Sequence, residues 1–309
     1  MEEAPNWIIK EYIFFGMGRV FVFTGEIKFR VDFSLKYRNR NFFVTVGLKS
    51  LLFKYSKYSL KTFLGYLFIA SFFLHFGCKS LDKLNFFSLE DDVAFGRQLS
   101  QQIESDPRNF PLLPERGNED AYRYIRSLTN RILNSGQVTH RRTFAWEVKI
   151  IDDDETLNAF CAPGGFIYVY TGIIKYLDSE DQLAGVMGHE IAHAALRHST
   201  QQMSKAYGTS ILLSILTGNE NPSQLEQLAL GLVNLKFGRD DETEADTHSV
   251  KYLCNTQYNA AGAAGFFEKI QSAGGSRPPA FLSTHPDPGN RVQNIKRQKQ
   301  EFGCRRNDR

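Results

Sequence analysis

Two histidines stand four residues apart in the segment His189-Glu190-Ile191-Ala192-His193. On a helix, residues at this spacing project from the same face, so both imidazoles can reach a single metal ion. Glu190 follows the first histidine directly and would lie beside that ion as a proton acceptor. The pattern therefore predicts a zinc-dependent hydrolase in which His189 and His193 bind the metal and Glu190 is the catalytic base.

The residues around this motif favour a helix. Ser179 precedes a first turn with Asp181 and Gln182, which is typical of a helix start. The apolar residues that follow recur at helical spacing, and no proline interrupts them. The motif is thus predicted to lie within one continuous helix.

A hydrolytic zinc site needs a third protein ligand and one open position for water. Leu196 and Ser199 stand where the compact metzincin pattern requires Gly and His, so the third ligand must come from elsewhere. Glu242 and Asp246 are four residues apart in an acidic segment and would share a helix face. One carboxylate would bind the metal while the other accepts the ring N–H of a ligand histidine, and the spacing leaves open which does which.

The remaining elements form a mixed pattern. Amphipathic helices are predicted from Ser88 and from about Glu119, and alternation predicts a strand over residues 144–150. An apolar segment between the two metal motifs, around residues 212–232, is either core packing or a lid. The composition, with 42% hydrophobic and 23% charged residues, fits a folded protein and not a disordered one. The expected fold is α+β and mostly helical, with a small sheet beside the metal helix.

A Pro-Gly-Gly turn at residues 163–165 leads into another predicted strand. This strand is either an ordinary hairpin corner or a sheet edge that binds an extended substrate peptide through its backbone. On the second interpretation the substrate-binding residues are Gly165, Phe166, Ile167 and Tyr168.

The N-terminal part differs from the rest in charge. Residues 1–61 contain 11 Lys and Arg against 5 acidic residues, and residues 62–309 contain 26 against 29. The larger part therefore carries no basic patch of the kind that binds nucleic acid. Residues 20–35 alternate as in a β-hairpin. Residues 1–57 are either a cytoplasmic extension of unknown role or lie upstream of the true start.

Residues 62–77 are uncharged and follow three lysines. Their length suits the apolar region of a secretion signal better than a spanning helix, which needs about 20 residues. We therefore interpret residues 58–78 as a signal peptide or membrane anchor. Gly77-Cys78 resembles a lipoprotein cleavage site, where Cys78 would be lipidated, and residues 79–87 would be a tether. In an oxidising periplasm Cys254 and Cys304 could pair, leaving Cys161 free.

Four motifs in order give the chain a family resemblance: residues 158–165, the His-Glu-x-x-His segment, residues 239–246, and Ser283-Thr284-His285-Pro286 with Arg291. Over roughly residues 88–295 the chain resembles the membrane-associated zinc metallopeptidases. These include the CAAX prenyl endoproteases, the heat-shock protease HtpX and periplasmic quality-control proteases. It is most similar to the soluble-domain, often lipoprotein, branch, although Ser249 stands where that family usually has Gly.

The resemblance implies a zincin-like metallopeptidase domain over residues 88–300, followed by a tail over 301–309. It implies one zinc ion per chain, with Glu242 as the third ligand and Asp246 hydrogen-bonded to a ligand. His285 matches a family position that can approach the metal, where it would stabilise the oxyanion or plug the open coordination site. His198 and His248 have no role in this scheme and are expected to be structural.

The expected function is hydrolysis of peptide bonds in misfolded or unassembled membrane proteins of the bacterial envelope. The catalytic domain would lie in the periplasm, anchored through the signal segment or lipidated Cys78. The alternative is a metal-stabilised chaperone or assembly factor that binds such proteins with little proteolysis. An integral-membrane prenyl-peptide protease is disfavoured, because the sequence has one convincing apolar segment where such an enzyme needs several.

Overall fold

The computed structural model describes residues 14–16, 19–24, 27–38, 41–48, 85, 87–219, 221–273, 280–287 and 289–304. The chain divides into two compact units, Met1–Gly77 and Cys78–Arg309. The predicted signal or anchor segment, including Cys78, lies outside the described residues, as does most of the predicted tether. None of the described helices combines the length and apolar character that crossing a bilayer requires.

The first unit contains an antiparallel sheet in which the strands follow one another in chain order. The strands are β1 Phe14–Gly16, β2 Arg19–Thr24, β3 Ile27–Arg38 and β4 Asn41–Leu48. β2 and β3 are antiparallel, and their register includes the pair Thr24 and Ile27. The hairpin predicted from the alternation of residues 20–35 is therefore confirmed.

The second unit is mostly helical and carries both metal motifs. Its elements, in chain order, are α1 Leu89–Ser105, α2 Glu119–Leu133, β5 Glu147–Ile151, β6 Ala159–Ala162, a 3₁₀ turn Pro163–Gly165, β7 Phe166–Tyr170, α3 Thr171–Tyr176, α4 Glu180–Ala195, α5 His198–Tyr207, α6 Thr209–Leu216, α7 Pro222–Val233, α8 Arg239–Cys254, α9 Gly262–Ala273, α10 Ala280–Thr284 and α11 Arg291–Glu301. The predicted α+β class is confirmed.

The capping signals in the sequence act as predicted. Ser88 caps α1 through a capping box with Asp91, and Ser179 accepts the backbone N–H of Gln182 at the start of α4. The strand predicted over residues 144–150 begins only at Glu147. Trp146 has a φ of 51°, which breaks the extended conformation that the alternating pattern suggested.

The small sheet has the strand order β5-β7-β6, with β7 parallel to β5 and antiparallel to β6. The proposed substrate strand, which contains Phe166, Ile167 and Tyr168, is thus the central strand. All five residues of β7 are buried, and its backbone is paired on both sides. The prediction that this strand, with Gly165 at its start, is a free edge for substrate is therefore wrong.

Alternate residues of β7 face two different cores, as the two-residue period of a strand requires. Ile167 and Val169 belong to one cluster, which also contains residues of α2, α4, α8 and α9. Phe166, Tyr168 and Tyr170 belong to a second cluster with residues of α1, α6 and α7. Leu212, Ile215, Leu228 and Leu232 are buried there, whereas Leu213 is exposed. The core-packing interpretation of residues 212–232 therefore holds for the buried face of α6 and α7.

Two glycines allow the metal helix α4 to pack closely against its neighbours. A Cβ atom at Gly185 would lie 2.0 Å from the backbone nitrogen of Ala263 in α9. A Cβ atom at Gly188 would lie 2.7 Å from the hydroxyl of Ser249 in α8. The Ser249 hydroxyl donates a hydrogen bond to the Gly185 carbonyl at 3.0 Å, so a serine fits at this contact.

Candidate metal centre

The two motif histidines lie on the buried face of α4, close to its C-terminal end. The Nε2 atoms of His189 and His193 are 2.9 Å apart. Both side chains are buried. The helix predicted from the spacing and from the Ser179 cap therefore brings the two imidazoles together.

Glu242 enters the same site from the first turn of α8. One carboxylate oxygen lies 3.4 Å from Nε2 of His189, and the other lies 3.4 Å from Nε2 of His193. The side chain is fully buried. Burial opposes its ionisation, but the charge of His285 and hydrogen bonds from His189 and His193 hold the pKa of Glu242 well below its usual range. Glu242 is thus an ionised carboxylate among three imidazoles.

His285 joins this group from the loop after α10. Its Nδ1 lies 3.1 Å from Oε1 of Glu242 and 3.3 Å from Nε2 of His189. The ring stacks on Phe281 with centroids 4.2 Å apart. One ligand atom from each of His189, His193, Glu242 and His285 lies within 4.8 Å of the other three. The loop histidine is therefore part of the cluster and not exposed to solvent.

The donor set fits a zinc ion. Zinc binds imidazole nitrogen and carboxylate oxygen at about 2.0–2.2 Å, so donor atoms around a tetrahedral ion lie roughly 3.3 Å apart. The Nε2 atoms of His189 and His193 are 2.9 Å apart, and each of them lies 3.4 Å from a different carboxylate oxygen of Glu242. Burial keeps the pKa of His193 well below its usual value, so its imidazole is neutral, the form in which it can bind a metal.

The other ring nitrogen of His189 is held by a carboxylate. Nδ1 donates to Oδ1 of Asp246 at 2.9 Å, one turn along α8 from Glu242. Burial lowers the pKa of His189, but hydrogen bonds to Asp246 and Glu242 outweigh this effect and raise the pKa to about 9. A metal ion must therefore displace a proton from His189. Arg291 holds Asp246 in turn and also lies 3.0 Å from Glu242 Oε2.

The other ring nitrogen of His193 faces a residue to which sequence reasoning assigned no part in the site. Nδ1 of His193 and Nδ1 of His198 are 3.0 Å apart. His198 is five positions after His193, a spacing that would place the two side chains on different faces of a continuous helix. They meet because Arg197, with a φ of 64°, turns the chain between α4 and α5. His248 lies outside the cluster.

Glu190 is fully buried beside the cluster, and neither carboxylate oxygen has a hydrogen-bond partner among the described residues. Oε1 lies 3.5 Å from Nε2 of His285. Burial raises the pKa of Glu190 above its usual value, although the charges of His285 and His189 act in the opposite direction. A raised pKa suits a group that must both accept and donate a proton near neutral pH.

Phe237, which directly precedes the N-cap of α8, also contacts the cluster. Phe237 stacks on His193 with ring centroids 3.9 Å apart, and its backbone N–H donates to the Thr284 carbonyl at 3.1 Å. The proposed substrate residues of β7 lie elsewhere: Tyr168 points into the second core, where its hydroxyl donates to Ser100 Oγ at 3.0 Å.

The sequence of the chain matches the model of a known protein family over the part that contains this site. The model of peptidase family M48 matches residues 119–299, which include all four donors. The chain belongs to peptidase family M48. The resemblance predicted from the four motifs is therefore confirmed.

Several M48 relatives can be aligned with the chain. It is 32% identical over 148 residues to the mitochondrial metalloendopeptidase OMA1 of Arabidopsis thaliana, covering 48% of this chain and 30% of the relative. It is 31% identical over 146 residues to the metalloprotease YcaL of Escherichia coli, covering 45% and 57%. It is 30% identical over 200 residues to the beta-barrel assembly-enhancing protease of Escherichia coli, covering 60% and 38%. The chain thus spans between 30% and 57% of the length of these M48 relatives.

Proposed function

We propose that this protein is a zinc-dependent metalloendopeptidase of the cell envelope. The observation that carries the proposal is the convergence of His189, His193 and Glu242 at tetrahedral donor distances, with the buried carboxylate of Glu190 beside them. Membership of peptidase family M48 supports the same reaction. In this proposal the three side chains hold one zinc ion per chain.

A zinc ion bound here supplies a Lewis acid that polarises a peptide carbonyl and lowers the pKa of a water molecule to about 7. Glu190 accepts the proton of the attacking water and delivers it to the leaving amine. Asp246, fixed by Arg291, orients the ring of His189 and keeps the proton on its Nδ1. The chain's own residues thus provide both the metal site and the proton transfer.

In this proposal His285 acts as a plug: it occupies the coordination position that the three ligands leave open. Its Nδ1 lies among the donor atoms, where a substrate carbonyl or water would otherwise bind. This position favours the plug over the oxyanion stabiliser, because a stabiliser needs room for substrate between itself and the metal. His285 leaves the donor set when a substrate enters.

The proposed substrates are misfolded or unassembled proteins of the bacterial envelope. The name of one relative, the beta-barrel assembly-enhancing protease, supports this substrate class. The basic residues and uncharged segment before Cys78 support export and membrane attachment, with the catalytic domain in the periplasm. Mass spectrometry tests the attachment: a Cys78→Ala protein that stays with membranes, and whose mass differs from that of the wild type only by the substitution itself, would count against lipidation.

The activity is tested on the full-length protein with casein as substrate. We expect about one zinc per chain in the wild type and in Glu190→Gln, but a turnover in Glu190→Gln lower by about 10²–10⁴-fold. Glu226→Gln makes the same chemical change at an exposed position of α7 and should leave both quantities unchanged. Equal turnover in the wild type and the Glu190→Gln protein would refute the assigned base. A zinc-loaded wild type that does not cleave casein would favour the chaperone alternative instead.

A further inference from the structure

His198 is the first residue of α5, and its buried ring meets His193 edge-on, with centroids 5.0 Å apart and an interplanar angle of 71°. The contact joins Nδ1 of one ring to Nδ1 of the other, at 3.0 Å. His198 contributes no atom to the four-residue donor cluster. The contact can therefore orient the ring of His193, whereas His198 itself is not a metal ligand.

Metal binding by His193 determines which of the two rings donates the hydrogen bond and which accepts it. His193 points Nε2 toward the donor cluster, so as a metal ligand it carries its proton on Nδ1. A proton on Nδ1 of His193 needs an acceptor, and the Nδ1 of His198 accepts only when His198 is neutral and protonated on Nε2. The geometry thus requires one particular tautomer of His198.

Two carboxylates favour that tautomer. Nε2 of His198 lies 3.7 Å from Glu244 Oε2 and 4.0 Å from Asp241 Oδ1, both on α8. Oδ2 of Asp241 is fixed by the backbone N–H of Gly238 at 3.1 Å and by Gln202 Nε2 at 2.7 Å, which leaves Oδ1 facing His198. The negative charge of these groups attracts the N–H at Nε2 and disfavours a proton on Nδ1.

The turn that presents His198 is itself held in place. Arg197 adopts a left-handed conformation, which is costly for a residue with a side chain. Its guanidinium donates to the buried Asp92 at 2.5 Å and to the backbone carbonyls of Phe87 and Ser88. Contacts with the start of α1 thus stabilise the turn at Arg197 that places His198 against His193.

We propose that His198 is the positioning residue of the zinc ligand His193, accepting its Nδ1–H and relaying the interaction to Glu244 and Asp241. The two motif histidines would then be oriented differently: His189 directly by Asp246, and His193 through a neutral imidazole. This inference rests on the proposed zinc site. It assigns a role in metal binding to a residue outside the His-Glu-x-x-His motif.

The test compares His198→Asn with His198→Leu in the full-length protein. Asn and Leu have nearly the same shape, but the Asn carbonyl offers an acceptor close to the position of the histidine Nδ1. We expect the zinc dissociation constant of the Leu variant, measured by chelator competition, to be about 10–100-fold above wild type. The Asn variant should lie within roughly threefold of wild type, because it restores the acceptor.

Equal zinc affinity of the two variants would overturn the inference, whereas a wild type that binds no zinc would overturn the proposed function instead. A measurement on the zinc-loaded wild type needs no variant to fold. In ¹⁵N-histidine NMR spectra, His198, assigned by its contacts to His193, should be protonated on Nε2 and not on Nδ1. A proton on Nδ1 of His198 would equally overturn the inference.

Discussion

The guanidinium of Arg291 meets the carboxylate of Asp246 in a two-pronged ion pair, with Nε and Nη2 each 2.7 Å from a carboxylate oxygen. Both side chains are buried, and the pair joins α11 to α8. Burial raises the pKa of Asp246, but the charge of Arg291 and the hydrogen bond from His189 outweigh it and lower the pKa. Asp246 can therefore serve as the anionic partner of His189 only while Arg291 compensates its charge.

Replacing Arg291 by methionine should destabilise the fold strongly. Breaking a buried ion pair from one side leaves an uncompensated charge, which costs about 3–5 kcal/mol in the free energy of unfolding. Urea unfolding monitored by circular dichroism measures this loss. Arg297→Met is the matched control, because Arg297 and its partner Glu301 are exposed and its loss should change stability by about 0.5 kcal/mol or less. Equal stability of the two variants would contradict the proposed role of the ion pair.

The assignment of the third ligand predicts a difference between two neighbouring glutamates. Glu242→Gln should reduce zinc content from about one per chain to nearly none, because a neutral amide is a poor zinc ligand. Glu244→Gln should retain about one zinc at saturating metal, since Glu244 faces His198 and not the donor cluster. Atomic absorption after gel filtration measures the zinc content of both variants. Loss of zinc in the Glu244 variant alone would mean that the ligand assignment is wrong.

The sequence predicted those parts of the site that depend on local spacing. His189 and His193 share a face because a capped helix has a fixed period, and no long-range information is needed. Glu242 was assigned through family resemblance, because the spacing of Glu242 and Asp246 could not decide which of them binds metal. The helices that begin near Ser88 and Glu119, and strands β5 and β7, followed from apolar periodicity in the same way, whereas β6 lies in a segment whose pattern indicated a turn.

The parts that were missed depend on pairings between distant residues. The central place of β7 follows from its parallel pairing with β5, and local pattern cannot show which strands become neighbours. The approach of His198 to His193 requires the left-handed turn at Arg197, which no helical period predicts. The sequence offers only a third histidine five positions after His193, because neither Leu196 nor Arg197 is a residue type that ends a helix.

The plug assigned to His285 predicts that its removal raises activity. With no side chain among the donor atoms, His285→Ala should bind the same amount of zinc and cleave casein faster, by a fewfold. An oxyanion stabiliser would predict the opposite, a loss of about 10²–10³-fold. His248→Ala removes a histidine outside the cluster and should leave the rate unchanged. Initial rates at equal zinc content distinguish the two roles.

A disulfide between Cys254 and Cys304, a pairing that the sequence left open, closes the C-terminal segment onto the end of α8. A cross-link across 50 residues restricts the unfolded chain and should contribute about 2–4 kcal/mol to stability. Reduction under native conditions should lower the midpoint of urea unfolding accordingly. A Cys254→Ser, Cys304→Ser double variant should have the stability of the reduced wild type and should not respond to reductant. A reductant effect in the double variant would show that another bond is responsible.

The Cys161 thiol should be unreactive toward alkylating reagents in the folded protein. Its thiol is buried in β6, where burial and the nearby charge of Glu190 raise its pKa well above the usual value. Because the thiolate is the reactive form, alkylation at pH 8 must wait for the structure to open, and should be slower than in urea by about a thousandfold. Peptide mass mapping after N-ethylmaleimide treatment measures this at Cys161 separately from the other cysteines. Rapid labelling of Cys161 in the native protein would mean that β6 is accessible and that the site beside Glu190 opens readily without substrate.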